Sequence, residues 1–219
     1  MVVLDENKEK SFEKREELIK VAMNEFGEKG YENASLNNIL KEVGISKGTF
    51  YYHYKNKEDL YMHLIDIITE EKLKFISARM GSINFNEDVF TILRNLMKNG
   101  MKFANKNPNI SKFTQGFVKD WGTPIHNEIF RRYFISRADF LKDITKKYGF
   151  ENMDYISDLI EIAYERGEIR KDLPKEFVKK IINHLFINLP QIVSSNNLNE
   201  YELAANYLID FIKNGLVKD

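Results

Sequence analysis

Apolar residues recur at helical spacing along almost the whole chain of 219 residues, and this periodicity limits the possible folds more than any other feature. Leu18, Ala22 and Phe26, each four residues apart, form the first such stripe. The sequence offers no convincing strand-like alternation of apolar and polar residues, and only four prolines interrupt the helical pattern. The sequence therefore predicts an all-α fold.

Glycine, proline and capping residues divide this pattern into a series of helices with short connections. Gly30 is placed to end the first helix, whereas Ser35, Ser46 and Asn56 are suited to cap the second, third and fourth helices. The predicted helices span residues 12–29, 36–43, 47–54, 57–80, 86–106, 109–121, 124–148, 153–168, 174–194 and 200–216.

The composition is that of a folded chain without a thiol. Hydrophobic residues make up 43% of the sequence and charged residues 30%, which argues against disorder. Because cysteine is absent, a disulfide framework, a thiol nucleophile and a cysteine-ligated metal are excluded. The first residues lack the pattern of a secretion signal, and no apolar run approaches the roughly 18 residues that span a bilayer. We therefore expect a cytoplasmic protein with no membrane partner.

The charge is balanced as a whole but not along the chain. The 33 basic residues equal the 33 acidic ones, and such neutrality counts against a nucleic-acid binder. Residues 1–32 nevertheless carry a net charge of −3, and residues 33–57 carry +3. The rest of the chain holds 23 charges of each sign. One short basic segment therefore lies within a neutral total.

This basic segment has the layout of a helix-turn-helix, in which two short helices joined by a tight turn follow a longer one. Gly44 can adopt the left-handed backbone that the turn requires. Ile45, Phe50 and Tyr54 are suited to anchor the second short helix in the core. The remaining residues of that helix are polar or small, and its N-terminal end is the one that such motifs insert into the major groove of DNA.

The residues from Ile39 to Leu60, which read ILKEVGISKGTFYYHYKNKEDL, resemble the DNA-binding motif of the TetR family of transcriptional regulators. The segment EFGEKGY at residues 25–31 resembles the end of that family's first helix. Val43, Phe50 and Tyr54 stand where the family usually has alanine, an aliphatic residue and phenylalanine. The resemblance covers roughly the first 60 residues; beyond them, only the length and the helical layout are similar.

The resemblance implies two domains. Residues 1–56 would form an N-terminal three-helix helix-turn-helix DNA-binding domain. Residues 57–219 would form a larger C-terminal helical domain that binds an effector and dimerises. The helix at residues 57–80 connects the two, and we expect it to act as the lever between them.

The resemblance also implies roles for single residues of the motif. Lys47, Thr49, Tyr52 and His53 would line the major groove together with Gly48, whose missing side chain lets the backbone approach DNA. Tyr51 and Lys57 would contact phosphates, and Lys55 would assist electrostatically. Alternatively, the tyrosines pack in the core and the lysines form a solvated face. The predicted DNA-binding set is Ser46, Lys47, Gly48, Thr49, Tyr51, Tyr52, His53, Lys55 and Lys57.

A homodimer is the second implication of the resemblance. The last two predicted helices carry apolar stripes, and Ala204 and Ala205 allow close helix approach. Paired with the same helices of a second chain, they would make a four-helix bundle. Alternatively, the stripes pack within one chain. The predicted interface consists of Ile181, Leu185, Leu189, Ala204, Leu208, Phe211 and Ile212.

For the effector, the sequence predicts a mostly apolar site with a few polar groups. Arg137 falls in an apolar stripe and needs either a ligand or an acid, such as Glu161 or Glu165. An aromatic stripe can also be plain core, and His184 can be a hydrogen-bonded core histidine. The predicted site consists of Met97, Met101, Phe113, Phe117, Trp121, Phe130, Tyr133, Phe134, Arg137, His184 and Asn188.

These features together predict a ligand-responsive, sequence-specific transcriptional regulator, a repressor that its effector releases from a near-palindromic operator. No cofactor or metal is expected, because the four histidines are scattered and the sequence contains no nucleotide-binding loop or nucleophile motif. Two alternatives remain open. The chain could be a helical interaction protein that keeps the motif without specific DNA binding, or an all-α enzyme, although we expect no enzyme.

Overall fold

The computed structural model of the chain describes residues 14–81, 83–149, 155–193 and 198–217. Within these ranges every regular element is an α-helix, which confirms the predicted fold class. In chain order the helices are α1 (Arg15–Asn33), α2 (Leu36–Val43), α3 (Lys47–His53), α4 (Lys57–Met80), α5 (Val89–Lys106), α6 (Pro108–Asp120), α7 (Pro124–Ser136), α8 (Ala138–Lys147), α9 (Tyr155–Arg166), α10 (Lys175–Val193) and α11 (Leu198–Leu216).

The predicted bounds of α2 and α4 agree with the structure, and most of the others differ by no more than three residues. The predicted start of the first helix at Phe12 lies outside the described residues. Gly30 has a φ of 73°, so regular helical geometry stops where the sequence predicts, although α1 resumes and continues to Asn33. The glycine therefore interrupts the helix rather than ending it.

The prediction of one helix over residues 124–148 is wrong, because the structure has two helices there. Arg137 takes a non-helical backbone, with φ −113° and ψ 14°, and separates α7 from α8. No glycine or proline marks this position. At the break, the Arg137 side chain forms ion pairs with Asp59 and Asp66 of α4. The sequence carries no local signal for this.

The chain divides into two compact units. The first comprises residues 1–69 and 107–137, and the second comprises residues 70–106 and 138–219. This division by packing differs from the predicted division by function at residue 57, which stays a prediction. None of the described helices is long and apolar enough to cross a membrane.

In the first unit, α1 packs closely along α6. Gly27 and Gly116 stand at the crossing: a Cβ added at Gly116 would overlap the carbonyl of Phe26 and come within 2.8 Å of the Gly27 Cα. The two backbones are therefore in direct contact. Further along the crossing, the Tyr31 amide donates to Oδ2 of Asp120 at 2.5 Å. Helix α1, which precedes the helix-turn-helix, is thus held against α6 by packing and by a hydrogen bond.

The second unit has its own core, formed by α5, α9, α10 and α11. Ile92, Ile160, Ile182 and Ile209 are among its most buried side chains. At one end of the unit, the Val89 amide donates to Oε2 of Glu168 at 2.6 Å and so closes the start of α5. All of the described residues of this core belong to the second unit.

Candidate nucleic-acid interface

The turn between α2 and α3 has the backbone that the sequence predicts. Gly44 is left-handed, with φ 70° and ψ 41°, and its amide donates to the Leu40 carbonyl at 2.9 Å. The Ile45 amide donates to the same carbonyl at 3.1 Å. Ser35 caps the start of α2 by accepting from the Asn38 amide. The motif therefore turns sharply at a residue that carries no side chain.

The recognition helix α3 is held by its cap and by one buried ring. Oγ of Ser46 accepts from the Thr49 amide at 3.0 Å and lies 2.9 Å from Oγ1 of Thr49. Phe50 is fully buried and stacks on Tyr54, with 5.5 Å between ring centroids. Ser46 and Thr49 are therefore engaged with each other in the free protein, and their contact with DNA stays a prediction.

The opposite face of α3 is exposed. Tyr51 and Tyr52 are 54% and 61% exposed, which argues against the alternative that both are core aromatics. His53 is half-buried and meets the Tyr52 ring edge-on at 4.9 Å. The other exposed members of the predicted set are Ser46, Lys47, Gly48, Thr49 and Lys55. The predicted groove-lining residues thus lie together on a solvent-facing surface.

Lys57 is the exception, because it is half-buried behind this surface. Its ammonium donates to the carbonyls of Tyr31 at 2.7 Å, Ala34 at 3.0 Å and Glu32 at 3.3 Å. Burial lowers the pKa of Lys57, and the carboxylate of Glu32 opposes this effect. Lys57 therefore stabilises the end of α1 in the free protein, and the phosphate contact assigned to it stays a prediction.

The joint between α3 and α4 is closed by side chains that accept backbone hydrogen bonds. Oδ1 of Asn56 accepts from the Asp59 amide at 2.8 Å, and Oδ2 of Asp59 accepts from the Lys55 amide at 3.0 Å. This reciprocal pattern is similar to a capping box. It fixes the path of the chain from the recognition helix into α4.

A histidine that no sequence pattern indicated as functional lies behind the motif. His63 has a ring nitrogen 3.4 Å from a guanidinium nitrogen of Arg15 and packs against the Tyr54 ring. Burial, helped by the positive charges of Arg15 and Arg137, lowers the pKa of His63 to about 4. The imidazole is therefore neutral at pH 7.

Five of the predicted effector residues lie together in the first unit: Phe117, Trp121, Phe130, Tyr133 and Phe134. We call these residues, with His126, the aromatic cluster. His126 was not predicted, yet its ring stands 4.6 Å from that of Phe117 and 5.3 Å from that of Trp121. It is buried, and neither ring nitrogen has a hydrogen-bond partner among the described residues. The cluster is therefore mostly apolar and contains one unsatisfied imidazole.

Two predicted effector residues of the first unit have other surroundings. Phe113 packs on Phe26 and Tyr61 beneath the helix-turn-helix. Arg137 pairs with Asp66 and Asp59, so the expectation of Glu161 or Glu165 as its partner is wrong. Sequence spacing could not show this, because both aspartates lie on α4, more than 70 positions away. Glu161 is engaged instead by Lys175 and Lys179 in the second unit.

The other predicted effector residues, Met97, Met101, His184 and Asn188, belong to the second unit. Met101 is buried, and Met97 packs against the core. His184 is exposed and lies 3.2 Å from the amide nitrogen of Asn188, so the alternative of a core histidine is wrong. A single effector site that combines these residues with the aromatic cluster stays a prediction.

The predicted dimer residues divide between the core and the surface of the second unit. Leu189 and Ile212 are buried, whereas Leu185 and Leu208 are half-buried against the core. Ile181 and Phe211 are exposed, and Ala204 is half-buried. The alternative that the stripes pack within one chain therefore holds for part of the set.

A second apolar stripe on α11 was predicted only in part, because the predicted interface includes Phe211 but neither Leu203 nor Tyr207. Leu203, Tyr207 and Phe211, at four-residue spacing, are 51%, 65% and 73% exposed. On α10, Phe177 and Ile181 are exposed in the same way. We call these five residues the outer stripe. The spacing of Leu203, Tyr207 and Phe211 was a usable signal, because a helix that is apolar on two sides has more than one partner surface.

These observations define a class of protein. A helix-turn-helix presents the exposed face of α3 in an all-α chain, and this arrangement is that of a DNA-binding regulator. Within the described residues, no group of three or more histidine and carboxylate side chains is arranged to hold a metal ion.

Comparisons with known proteins agree with this class. Residues 18–64 match the family described as bacterial regulatory proteins, tetR family. The biofilm operon icaADBC negative transcriptional regulator IcaR of Staphylococcus epidermidis is 24% identical over 128 residues, which are 54% of this chain and 69% of that protein. The transcriptional regulator SAB2452 of Staphylococcus aureus is 44% identical over 55 residues, which are 25% of this chain and 30% of that protein.

Among solved structures, a TetR family transcriptional regulator from Chloroflexus aurantiacus is similar over 94% of both chains, with a TM-score of 0.65 and 24% identity. The fold is therefore shared well beyond the matched motif. Residues 18–64 carry the DNA-binding motif of the TetR family, and the chain is a DNA-binding transcriptional regulator. Regulators of this family bind operators as dimers and are not enzymes.

Proposed function

We propose that this protein is a homodimeric repressor that binds a near-palindromic operator and is released by a small, mostly apolar effector. The observation that carries the proposal is the exposed face of α3, on which Lys47, Tyr51 and Tyr52 lie beyond the Gly44 turn. The repressor assignment is supported by the similar IcaR, a negative regulator by its description. Such a protein acts in the cytoplasm, where bacterial DNA is located.

The DNA contacts follow from which groups are exposed. Lys47 and Gly48 are exposed at the start of α3, the end that enters the major groove, and Tyr52 is exposed one residue before the helix ends. Lys47 and Tyr52 read base edges, and Gly48 lets the backbone approach the DNA. Tyr51 contacts the phosphate backbone through its hydroxyl, and Lys55 adds positive charge beside it. With a net charge of zero on the chain, affinity depends on these local groups and on the dimer rather than on a general basic surface.

The outer stripe supports the dimer. Five large exposed apolar side chains on α10 and α11 are costly to leave in water, and a second copy of these two helices would cover them in a four-helix bundle. Two copies of α3 would then read half-sites about 10 base pairs apart or slightly more.

The aromatic cluster supports an effector site in the first unit. Its rings come from α6 and α7, and α6 is in backbone contact with α1 at Gly116 and Gly27. A ligand that separates the rings would displace α6 and, through this contact, α1. We therefore propose α6 as the direct connection to the motif, while the predicted lever role of α4 remains a second route.

A pair of variants tests the DNA-binding mode. In gel-shift assays with DNA flanking the gene of this protein, Tyr52→Ala should lower the affinity for the selected sequence by more than it lowers the affinity for unrelated DNA. Tyr51→Ala, a matched loss of one exposed ring, should weaken both to a similar extent. If the wild-type protein shifts no sequence selectively at moderate salt, the chain is instead a helical interaction protein that keeps the motif.

A further inference from the structure

Helix α7 carries an arginine that holds the first turn of α4. The guanidinium of Arg132 donates to both carboxylate oxygens of Glu58, with Nε and Nη2 each 2.8 Å from an oxygen. It also donates to Glu128 on its own helix at 2.9 Å. Such a fork fixes the orientation of two side chains as well as their distance. Glu58 follows the recognition helix by five residues, so this contact lies at the base of α3.

A second arginine, Arg137, directly follows α7 and also contacts α4. Nε of Arg137 lies 3.0 Å from Oδ2 of Asp66, and Nη2 lies 3.4 Å from Oδ1 of Asp59. None of the three side chains is more than 27% exposed, so water screens this group of charges only partly. Arg137 therefore joins two carboxylates that lie seven residues apart on one helix.

The second arginine connects to the recognition helix through a shared carboxylate. While Oδ1 of Asp59 faces Arg137, its Oδ2 accepts the hydrogen bond from the Lys55 amide at 3.0 Å. Lys55 is the second residue after α3. The path from α7 to the recognition helix is therefore Arg137, Asp59 and the Lys55 backbone. We call Arg132, Arg137, Glu58, Asp59 and Asp66 the arginine clamp.

Helix α7 also supplies four of the six residues of the aromatic cluster. Phe130, Tyr133 and Phe134 lie on it with the clamp residue Arg132, and Arg137 directly follows its last residue. A shift or rotation of α7 would therefore change the cluster and the clamp together. No other described helix of the first unit contributes side chains to both groups.

We propose that Arg132 and Arg137 are positioning residues for operator binding, which hold the joint between α3 and α4 so that the recognition helix meets DNA at a fixed angle. The proposal rests on the DNA-binding function. It identifies α7 as a further route from the effector region to the motif, separate from the contact between α6 and α1. Neither arginine needs to touch DNA for this role.

Single-charge variants test it. Arg132→Gln and Arg137→Gln should each lower operator affinity about tenfold, a size typical of coupled sites. The matched control is Arg131→Gln, because Arg131 is exposed and pairs with Glu128 of the same helix. It removes the same charge and should change operator affinity less than about twofold. Equal losses in all three variants would show that general charge, and not the clamp, is responsible.

Two further measurements separate positioning from simple destabilisation. Arg137→Lys keeps the charge but lacks the planar guanidinium that can bind two carboxylates at once. On a logarithmic scale, its operator affinity should therefore lie closer to that of Arg137→Gln than to that of the wild-type protein. Amide hydrogen exchange at Lys55 should accelerate in Arg137→Gln and not in Arg131→Gln, while exchange in the middle of α1 stays unchanged. Unchanged exchange at Lys55 would overturn the proposal, even if the wild-type protein bound no operator.

Discussion

Gly116 and Gly48 both lie in helices, but only Gly116 is required by contacts within the chain. At Gly116 a Cβ would overlap the backbone of α1, so the fold itself requires glycine. At Gly48 a Cβ would meet only Oγ of Ser46, at 3.6 Å, which is ordinary contact. The fold therefore does not require glycine at residue 48, and the proposed close approach of DNA would be a reason for it.

The substitution Gly48→Ala should therefore separate stability from DNA binding. We expect the free energy of unfolding to stay the same or to rise by up to about 1 kcal/mol, because alanine favours helix over glycine. Operator affinity should fall by about tenfold or more in fluorescence anisotropy, as for one lost major-groove contact. Gly116→Ala is the control and should lower stability by about 1–3 kcal/mol. Full operator affinity in Gly48→Ala would refute the assigned backbone approach.

Lys57 and Lys55 differ in burial: Lys57 is half-buried and donates to backbone carbonyls, whereas Lys55 is exposed. Lys57→Ala leaves carbonyls of α1 without their donor, so we expect the free energy of unfolding to fall by about 1–3 kcal/mol in urea titrations. Lys55→Ala removes an exposed ammonium and should change it by less than about 0.5 kcal/mol. Lys57→Ala could instead keep full stability and lower by about 0.9 the slope of the logarithm of the DNA-binding constant against the logarithm of the salt concentration. Lys57 would then be a phosphate contact, as the sequence predicts.

His63 makes stability depend on pH. Its pKa is about 4 in the folded chain against an ordinary value of 6.5, so below pH 6.5 the unfolded chain binds the proton first. The contribution of His63 to stability should be constant above pH 6.5, fall as the pH drops towards about 4, and then level off, with a total loss of roughly 3 kcal/mol or less. His63→Gln should remove this part of the pH dependence of the thermal midpoint. Superimposable profiles would contradict the burial of a neutral imidazole.

At the scale of elements, local chemistry made α2, α3 and their turn predictable. Ser35, Gly44 and Ser46 each act on backbone groups within four residues, so their positions in the sequence carry the information. The break after α7 was not predictable, because Arg137 pairs with Asp59 and Asp66, which are distant in the sequence. A helix end that coincides with ion pairs to a distant segment leaves no local pattern in the sequence.

The faces of α11 show a different limit. Periodicity identified an apolar helix, and the predicted stripe proved to be mostly the face that packs inward, with Leu208 and Ile212. The neighbouring residues of the outer stripe have the same spacing but stay exposed within the described chain. Spacing alone cannot tell which apolar face meets the same chain and which meets another. Burial in the structure resolves this.

At the scale of the whole molecule, one substitution in the outer stripe tests the dimer. Phe211→Glu places a charge where the second copy would pack, so the dimer dissociation constant in sedimentation equilibrium should rise by about a hundredfold or more. Operator affinity should fall with it. Ile135→Glu, at a similarly exposed residue of the first unit, is the control and should leave the dimer intact. An intact Phe211→Glu dimer would place the interface elsewhere.

Selection of DNA from a random pool by the protein tests whether it is a dimeric, sequence-specific regulator. We expect enrichment of an inverted repeat whose half-sites lie about 10 base pairs apart or slightly more, because a two-fold dimer would present two copies of α3 to one face of the duplex. Gly48→Ala should lose that enrichment, and Arg131→Gln should keep it. Enrichment of no sequence, or of a single half-site without a repeat, would contradict a dimeric, sequence-specific regulator.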